Sequence, residues 1–118
     1  MGLASQVSTT PGMGRYGIPE AELRAIRARY THCVYCAKPF TKSVGRGSRS
    51  DSGTLEHLNY RPPWNDPSTV VMACGSCNSS RGAKPLLVWF ESPYCKGKNI
   101  TLATVPAVVK SYIEQHEM

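Results

Sequence analysis

The chain has 118 residues, 41% of them hydrophobic, and a formal net charge of +6. That length suits one domain with a modest core, which a structural metal would help to stabilise. No apolar run approaches the roughly 20 residues that span a bilayer, and Met1 to Gly17 has neither the basic nor the apolar region of a secretory signal. The expectation is therefore a cytoplasmic protein, of cellular, phage or mobile-element origin. Residues 1–84 hold 11 of the 14 Lys/Arg and five of the eight Asp/Glu, whereas 85–118 balance to zero. The positive charge thus travels with the cysteine-bearing part of the chain, as a binder of polyanions requires.

In chain order, residues 1–17 are rich in Gly, Ser, Thr and Pro without periodicity and read as a flexible arm, which leaves 18–118 as one domain. Pro19 suits the first position of a helix, with Glu20 and Glu22 in its first turn. Leu23, Ile26 and Tyr30 then form one apolar stripe, predicting a helix over about 19–30 that packs on the cysteine module. Lys38 to Ser52, with Lys42, Arg46 and Arg49 among Gly and Ser, reads as a basic loop. Thr54 to Asn59 reads as a short strand. Arg61 to Pro67, with three prolines, is irregular. Val70 to Met72 makes a second strand, and a helix is expected to start near Cys77 or Asn78 and to be loosened by Gly82 and Pro85. Leu86 to Phe90 suits a short core helix. Pro106 opens a last helix, about 106–116, burying Val108, Val109, Tyr112 and Ile113. The pattern is α+β: a β-hairpin followed by a helix, flanked by helices at both ends.

The strongest chemical signal is a pair of knuckles, Cys33-x-x-Cys36 and Cys74-x-x-Cys77. Two such pairs make a tetrahedral four-thiolate zinc site once the intervening chain folds back. Gly75, Ser76 and Asn78 give the second knuckle the small, turn-tolerant residues it needs. A closed four-thiolate site has no open position, so this zinc is expected to be structural. Its four thiolates and divalent ion would lower the working charge to about +4. Five cysteines in a reducing compartment suit thiols or metal ligands better than disulfides. Cys95 has no partner pair and reads as a core thiol. His32 and His116 read as bystanders.

Between and after the knuckles stand Glu56-His57, Asn78 and Arg81-Gly82. An acidic residue followed by His, then Cys-x-x-Cys-Asn and a basic-Gly pair, resembles the HNH nucleases with the ββα-metal fold. The resemblance spans about residues 31–85. It implies that His57 is the general base that activates water, suited to the task by an imidazole pKa near neutrality. It also implies that Glu56 and Asn78 hold one divalent ion. Their hard oxygen ligands favour Mg²⁺ or Mn²⁺. Glu56 and His57 are neighbours on a strand and point to opposite faces unless the strand is bent. Arg81 and Lys84 would grip phosphates, with Arg61, Lys42, Arg46 and Arg49 as further DNA contacts, and Gly82 would allow the DNA backbone to approach closely. The sequence departs from the family pattern twice. Glu56 stands where Asp or His is usual. Thr69 stands where a middle Asn normally orients the His, and Asn59 and Asn65 are the alternatives for that task.

The function so implied is a DNA endonuclease acting on double-stranded DNA and leaving a 5′-phosphate and a 3′-hydroxyl. One site cuts one strand, so a monomer would nick and a homodimer would be needed for a double-strand break. Two other readings fit many of the same residues: a non-catalytic zinc-stabilised DNA-binding module, and a structure-selective resolvase-type nuclease.

Overall fold

The computed structural model describes residues 14–41 and 50–118. The expected DNA contacts Lys42, Arg46 and Arg49 lie outside the described residues, as do positions 1–13 of the expected arm. Positions 14–17 do have defined structure: Gly14 N–H donates to the Ile18 carbonyl at 2.7 Å around a 3₁₀ turn at Arg15–Gly17, and Ile18 is fully buried. Positions 14–17 thus depart from the expected flexible arm, because Ile18 anchors their turn in a core.

Helix α1 (Glu20–Arg29) follows Pro19 and carries Glu20 and Glu22 in its first turn. Its buried residues are Leu23 and Ile26, the apolar stripe read from the sequence. They pack with Ile18, Leu55, Val70 and Met72, so α1 covers one face of the sheet. That sheet has two antiparallel strands, β1 (Gly53–His57) and β2 (Val70–Cys74), with Leu55 opposite Met72, Glu56 opposite Val71 and His57 opposite Val70. All five residues of β2 are buried. Such a continuous apolar run suits a strand covered on both faces, and here Val71 and Ala73 belong to a second cluster on the far side.

Helix α2 (Gly75–Arg81) starts directly at the end of β2, two or three residues earlier than expected. The Cys74 sulfur accepts a hydrogen bond from the Cys77 N–H and caps the helix, so the second knuckle is itself the first turn. Gly82, at φ 55° and ψ −132°, ends it in a conformation that a side chain would strain. Three helices complete the second cluster: α3 (Leu86–Trp89), α4 (Pro93–Lys98) and α5 (Ala107–His116). Helix α4 was not expected from the sequence, although Ser92 caps its first turn, Pro93 follows, and Asn99 closes it in the left-handed region. In α5, Val109, Tyr112 and Ile113 are buried as expected, whereas Val108 is exposed. Beyond α5, Glu117 turns back so that both its carboxylate oxygens accept from the first N–H groups of α3, at 2.8 and 2.9 Å. Cys95 is buried in the cluster as an unpaired thiol. Among the described residues no helix is long and apolar enough to cross a membrane.

Trp89 is fully buried at the centre of this cluster. It meets Tyr35 edge-on at 4.9 Å, stacks on Tyr94 at 6.0 Å, and donates its indole N–H to Ser80 at 2.9 Å. Trp89→Ala should lower the unfolding free energy by about 3–5 kcal/mol, while the neighbouring exposed Val88→Ala should stay within about 0.5 kcal/mol. Guanidinium denaturation of the metal-loaded proteins measures both, and equal effects would contradict this packing.

Candidate functional site

The four knuckle cysteines meet. The sulfurs of Cys33, Cys36, Cys74 and Cys77 all lie within 4.8 Å of one another, and Cys36 and Cys74 approach to 3.9 Å. A tetrahedral ion with metal–sulfur bonds of about 2.3 Å holds its sulfurs about 3.8 Å apart. The first knuckle is tied to the sheet by the Val34 N–H donating to the Met72 carbonyl at 3.0 Å. Its sulfurs are ready to carry negative charge. The N–H groups of Tyr35 and Cys36 point at Cys33 Sγ at 3.4 and 3.5 Å, that of Cys77 at Cys74 Sγ at 3.4 Å, and the Tyr94 hydroxyl donates to Cys77 Sγ at 3.3 Å. A hydrogen bond with Cys77 brings the Cys33 thiol down to about 4, and the same contact pushes Cys77 up. Spacing and donor chemistry fit a metal ion such as zinc, and all four coordination positions are filled by the protein. His32 is exposed and hydrogen-bonded to the Thr31 hydroxyl at 2.8 Å, outside the cluster.

Beside this cluster, β1 divides Glu56 from His57. Glu56 is 4% exposed, and its Oε2 accepts from the Tyr35 hydroxyl at 2.5 Å and from Arg81 Nη1 at 2.9 Å. Burial pushes its carboxyl above the ordinary range, against the pull of the guanidinium and the phenol. His57, half-buried, faces the other way. Its Nε2 lies 2.8 Å from the Trp64 carbonyl. A carbonyl only accepts, so in the neutral ring Nε2 carries the proton and Nδ1 keeps the lone pair. Tyr16 and Trp64 bracket the imidazole edge-on, with ring centroids at 4.4 and 5.2 Å. Burial holds His57 below its usual pKa. The Trp64 carbonyl opposes that shift, and the charges of Arg15 and Arg81 add to it.

Asn78 comes off the first turns of α2 and donates both amide protons to β1, to the Thr54 hydroxyl and the Leu55 carbonyl, each at 2.9 Å. Its Oδ1 remains as the acceptor. Glu56, His57 and Asn78 line one cleft of about 180 Å³, together with Tyr16, Tyr60 and Trp64. The three residues singled out in the sequence thus all line one cleft, with the Glu56 carboxylate itself buried against Tyr35 and Arg81.

The expected phosphate contacts fare differently. Arg81 is a correction: at 1% exposed it is out of reach of any phosphate. Its guanidinium donates to Glu56, to the His57 and Leu58 carbonyls at 2.7 and 2.8 Å, and to the Lys84 carbonyl at 2.5 Å. Lys84 is exposed and donates to the Ser80 carbonyl at the end of α2. Arg61 is exposed and lies over the Tyr60 ring. Thr69 does not reach His57; its hydroxyl donates to the Asp66 carbonyl at 2.9 Å and closes the 3₁₀ turn Pro67–Thr69. The loop that positions His57 is instead fastened by Asn59, whose amide donates to the Arg61 and Pro63 carbonyls at 2.8 and 2.6 Å. Asn65 is exposed. Tyr35, Tyr16 and Trp64 were not singled out in the sequence. The first is a spacer inside a knuckle, the second lies in a segment without pattern, and the third sits between prolines.

Compared with family models, with curated proteins and with solved structures, the chain finds no match.

Removing one partner of a buried ion pair leaves the other charge uncompensated, so Arg81→Ala should destabilise by about 3–5 kcal/mol. Arg81→Lys should recover little of this, because an ammonium cannot fork to a carboxylate and three carbonyls. Thermal denaturation with the metal bound measures both, and a stable Arg81→Ala variant would contradict the arrangement. The purified protein should also carry about one zinc per chain by elemental analysis, and Cys36→Ser or Cys77→Ser should lose it together with the cooperative unfolding transition.

Proposed function

We propose that the protein is a metal-dependent DNA endonuclease of the HNH kind, with a ββα-metal core held by a structural zinc. The observation that carries this reading is that one cleft is lined by His57, whose tautomer is fixed, and by Asn78 and Glu56. The run of β1, β2 and α2, with one cysteine pair ahead of β1 and the other at the junction of β2 and α2, supports it further. His57, neutral at physiological pH, takes the proton of an attacking water on Nδ1, while the Trp64 carbonyl holds the ring through Nε2. Glu56 brings its second carboxylate oxygen and Asn78 its Oδ1, a hard donor pair suited to Mg²⁺ or Mn²⁺. Such an ion, when bound, would offset charge on the phosphorane and on the leaving 3′ oxygen. Exposed Arg15, Arg61 and Lys84 offer positive charge to the phosphate backbone. With one cleft per chain, a monomer would nick.

One observation favours a second reading, a zinc-stabilised module that binds DNA without cutting it. Glu56 is paired with Arg81 at 2.9 Å, which gives that carboxylate a structural role independent of any catalytic ion.

Supercoiled plasmid incubated with Mg²⁺, Mn²⁺ or EDTA separates the two. The nuclease reading expects nicking with metal, none with EDTA, and at least about a 100-fold loss in a zinc-loaded His57→Ala variant. Because the base works unprotonated, activity should fall with falling pH through an apparent pKa below the usual 6.5 of His, and should be flat at neutrality. If wild type and variant are both inert while zinc and DNA are bound, the binding module is the correct reading.

A further inference from the structure

Few large apolar side chains stand exposed among the described residues, and two that do, Tyr16 at 41% and Trp64 at 38%, lie against His57. Packing of the imidazole alone does not require so much open ring surface. Tyr16 is also held in an unusual way. Its φ of 62° lies in the left-handed region, which residues with a Cβ seldom adopt, and Gly17 follows at φ 74°. A turn that would suit glycine instead presents a phenol ring beside the proposed base. Backbone strain of this kind gathers where a side chain is needed in one place.

A second pattern repeats along the cleft. Arg15 lies over the Tyr16 ring at 5.1 Å and donates to its hydroxyl at 3.2 Å. Arg61 lies over the Tyr60 ring at 5.1 Å and donates to its hydroxyl at 3.4 Å. Tyr16, Tyr60 and Trp64 all line the cleft that holds His57. The cleft is therefore edged by two Arg–Tyr pairs and a tryptophan, a cation beside each tyrosine ring.

Rings set next to guanidinium groups match the physics of single-stranded nucleic acid. Each unpaired base offers a π-face for stacking, and each phosphate a charge for an arginine. An intact duplex offers neither open face nor room, because its bases stack on one another and show only their edges in the grooves. We infer that Tyr16, Tyr60 and Trp64, with Arg15 and Arg61, form a stacking subsite for unpaired bases of a DNA strand, so that the preferred substrate is single-stranded DNA or the single-stranded branch of a duplex. The placement of this subsite beside a reactive centre rests on the nuclease reading, but the binding it provides does not.

The test is fluorescence anisotropy in EDTA, where no cleavage can occur, with a labelled single-stranded oligonucleotide and with the same strand in a duplex. Wild type should bind the single strand about tenfold more tightly than the duplex. The Tyr16→Ala/Trp64→Ala double variant should lose about tenfold or more for the single strand and under about twofold for the duplex. The Tyr16→Phe/Trp64→Phe variant should stay within about threefold of wild type, since stacking needs a ring and not its polar atom. Zinc content and circular dichroism check that each variant is folded. Equal or tighter binding of duplex, equal loss on both ligands, or a phenylalanine variant as weak as the alanine one each overturn the subsite. A parallel incubation with Mn²⁺ separates the two ideas. Selective binding without cleavage keeps the subsite and sinks the nuclease, and cleavage without selectivity does the reverse.

Discussion

A guanidinium with 1% of its surface exposed holds the centre of this molecule together. Arg81 reaches from the end of α2 to the Glu56 carboxylate, to two carbonyls where β1 ends, and to the carbonyl of Lys84. A buried cation is tolerated only when its donors are matched, and a planar fork of five N–H groups can match several acceptors at once. The carbonyls of His57 and Leu58 lie where the chain leaves the sheet. They would be orphaned inside the fold without a donor of this reach, since a buried carbonyl must find a partner. The ion pair therefore does more than join two charges. It fixes the direction in which the chain leaves β1 and hence where the loop carrying Trp64 begins.

The same short helix serves the cysteine cluster. Cys77 and Asn78 are neighbours in α2, and Arg81 lies about one turn further on. Cys77 and Arg81, four apart, share its buried face, one turned to the sulfurs and the other to Glu56. Asn78 lies beside them and grips β1 through Thr54 and Leu55. From the opposite side, the first knuckle sends the Tyr35 hydroxyl to the oxygen that Arg81 holds. Glu56 is thus clamped between the two halves of the cysteine cluster. A metal bound by the four sulfurs would draw the knuckles together and so also set the walls around the carboxylate. A chain this small has little other core to oppose their separation.

The two CxxC pairs were legible because spacing alone dictates that four sulfurs can share an ion. The stripe Leu23-Ile26-Tyr30 and the buried side of α5 were legible because helical periodicity survives on the surface of a core. The exchange of surface for interior at Arg81 was not. Arginine beside glycine reads as a solvent-exposed grip, and only the tertiary placement of Glu56 and the carbonyls of His57 and Leu58 turns it inward. Thr69 was weighed by its place in a family pattern, yet the side chain that fastens the loop is Asn59, ten residues earlier, through a pair of carbonyls among prolines. Tyr16 and Trp64 give no periodic signal at all, since each sits in irregular chain and meets His57 only through the fold. Helix α4 was written in Ser92-Pro93 and Asn99, but a single turn and a half leaves too short a pattern to stand out.

The alternation of a strand explains how neighbouring residues take up opposite tasks. Successive side chains on β1 face opposite sides of the sheet, so Glu56 is drawn into a dry interior while His57 stays half in water. A carboxylate left alone in such an interior would take up a proton, as the upward push on Glu56 reflects. Arg81 and Tyr35 oppose that by donating to one oxygen, which favours the anion and leaves the other oxygen without a hydrogen-bond donor among the described residues. On the nuclease reading, this is the condition a carboxylate must meet to bind a divalent ion from inside a core: it must remain charged with one lone-pair face open. On that reading, the ion pair that argues for a purely structural Glu56 would also be what keeps Glu56 chemically competent, and the two roles call for the same contacts.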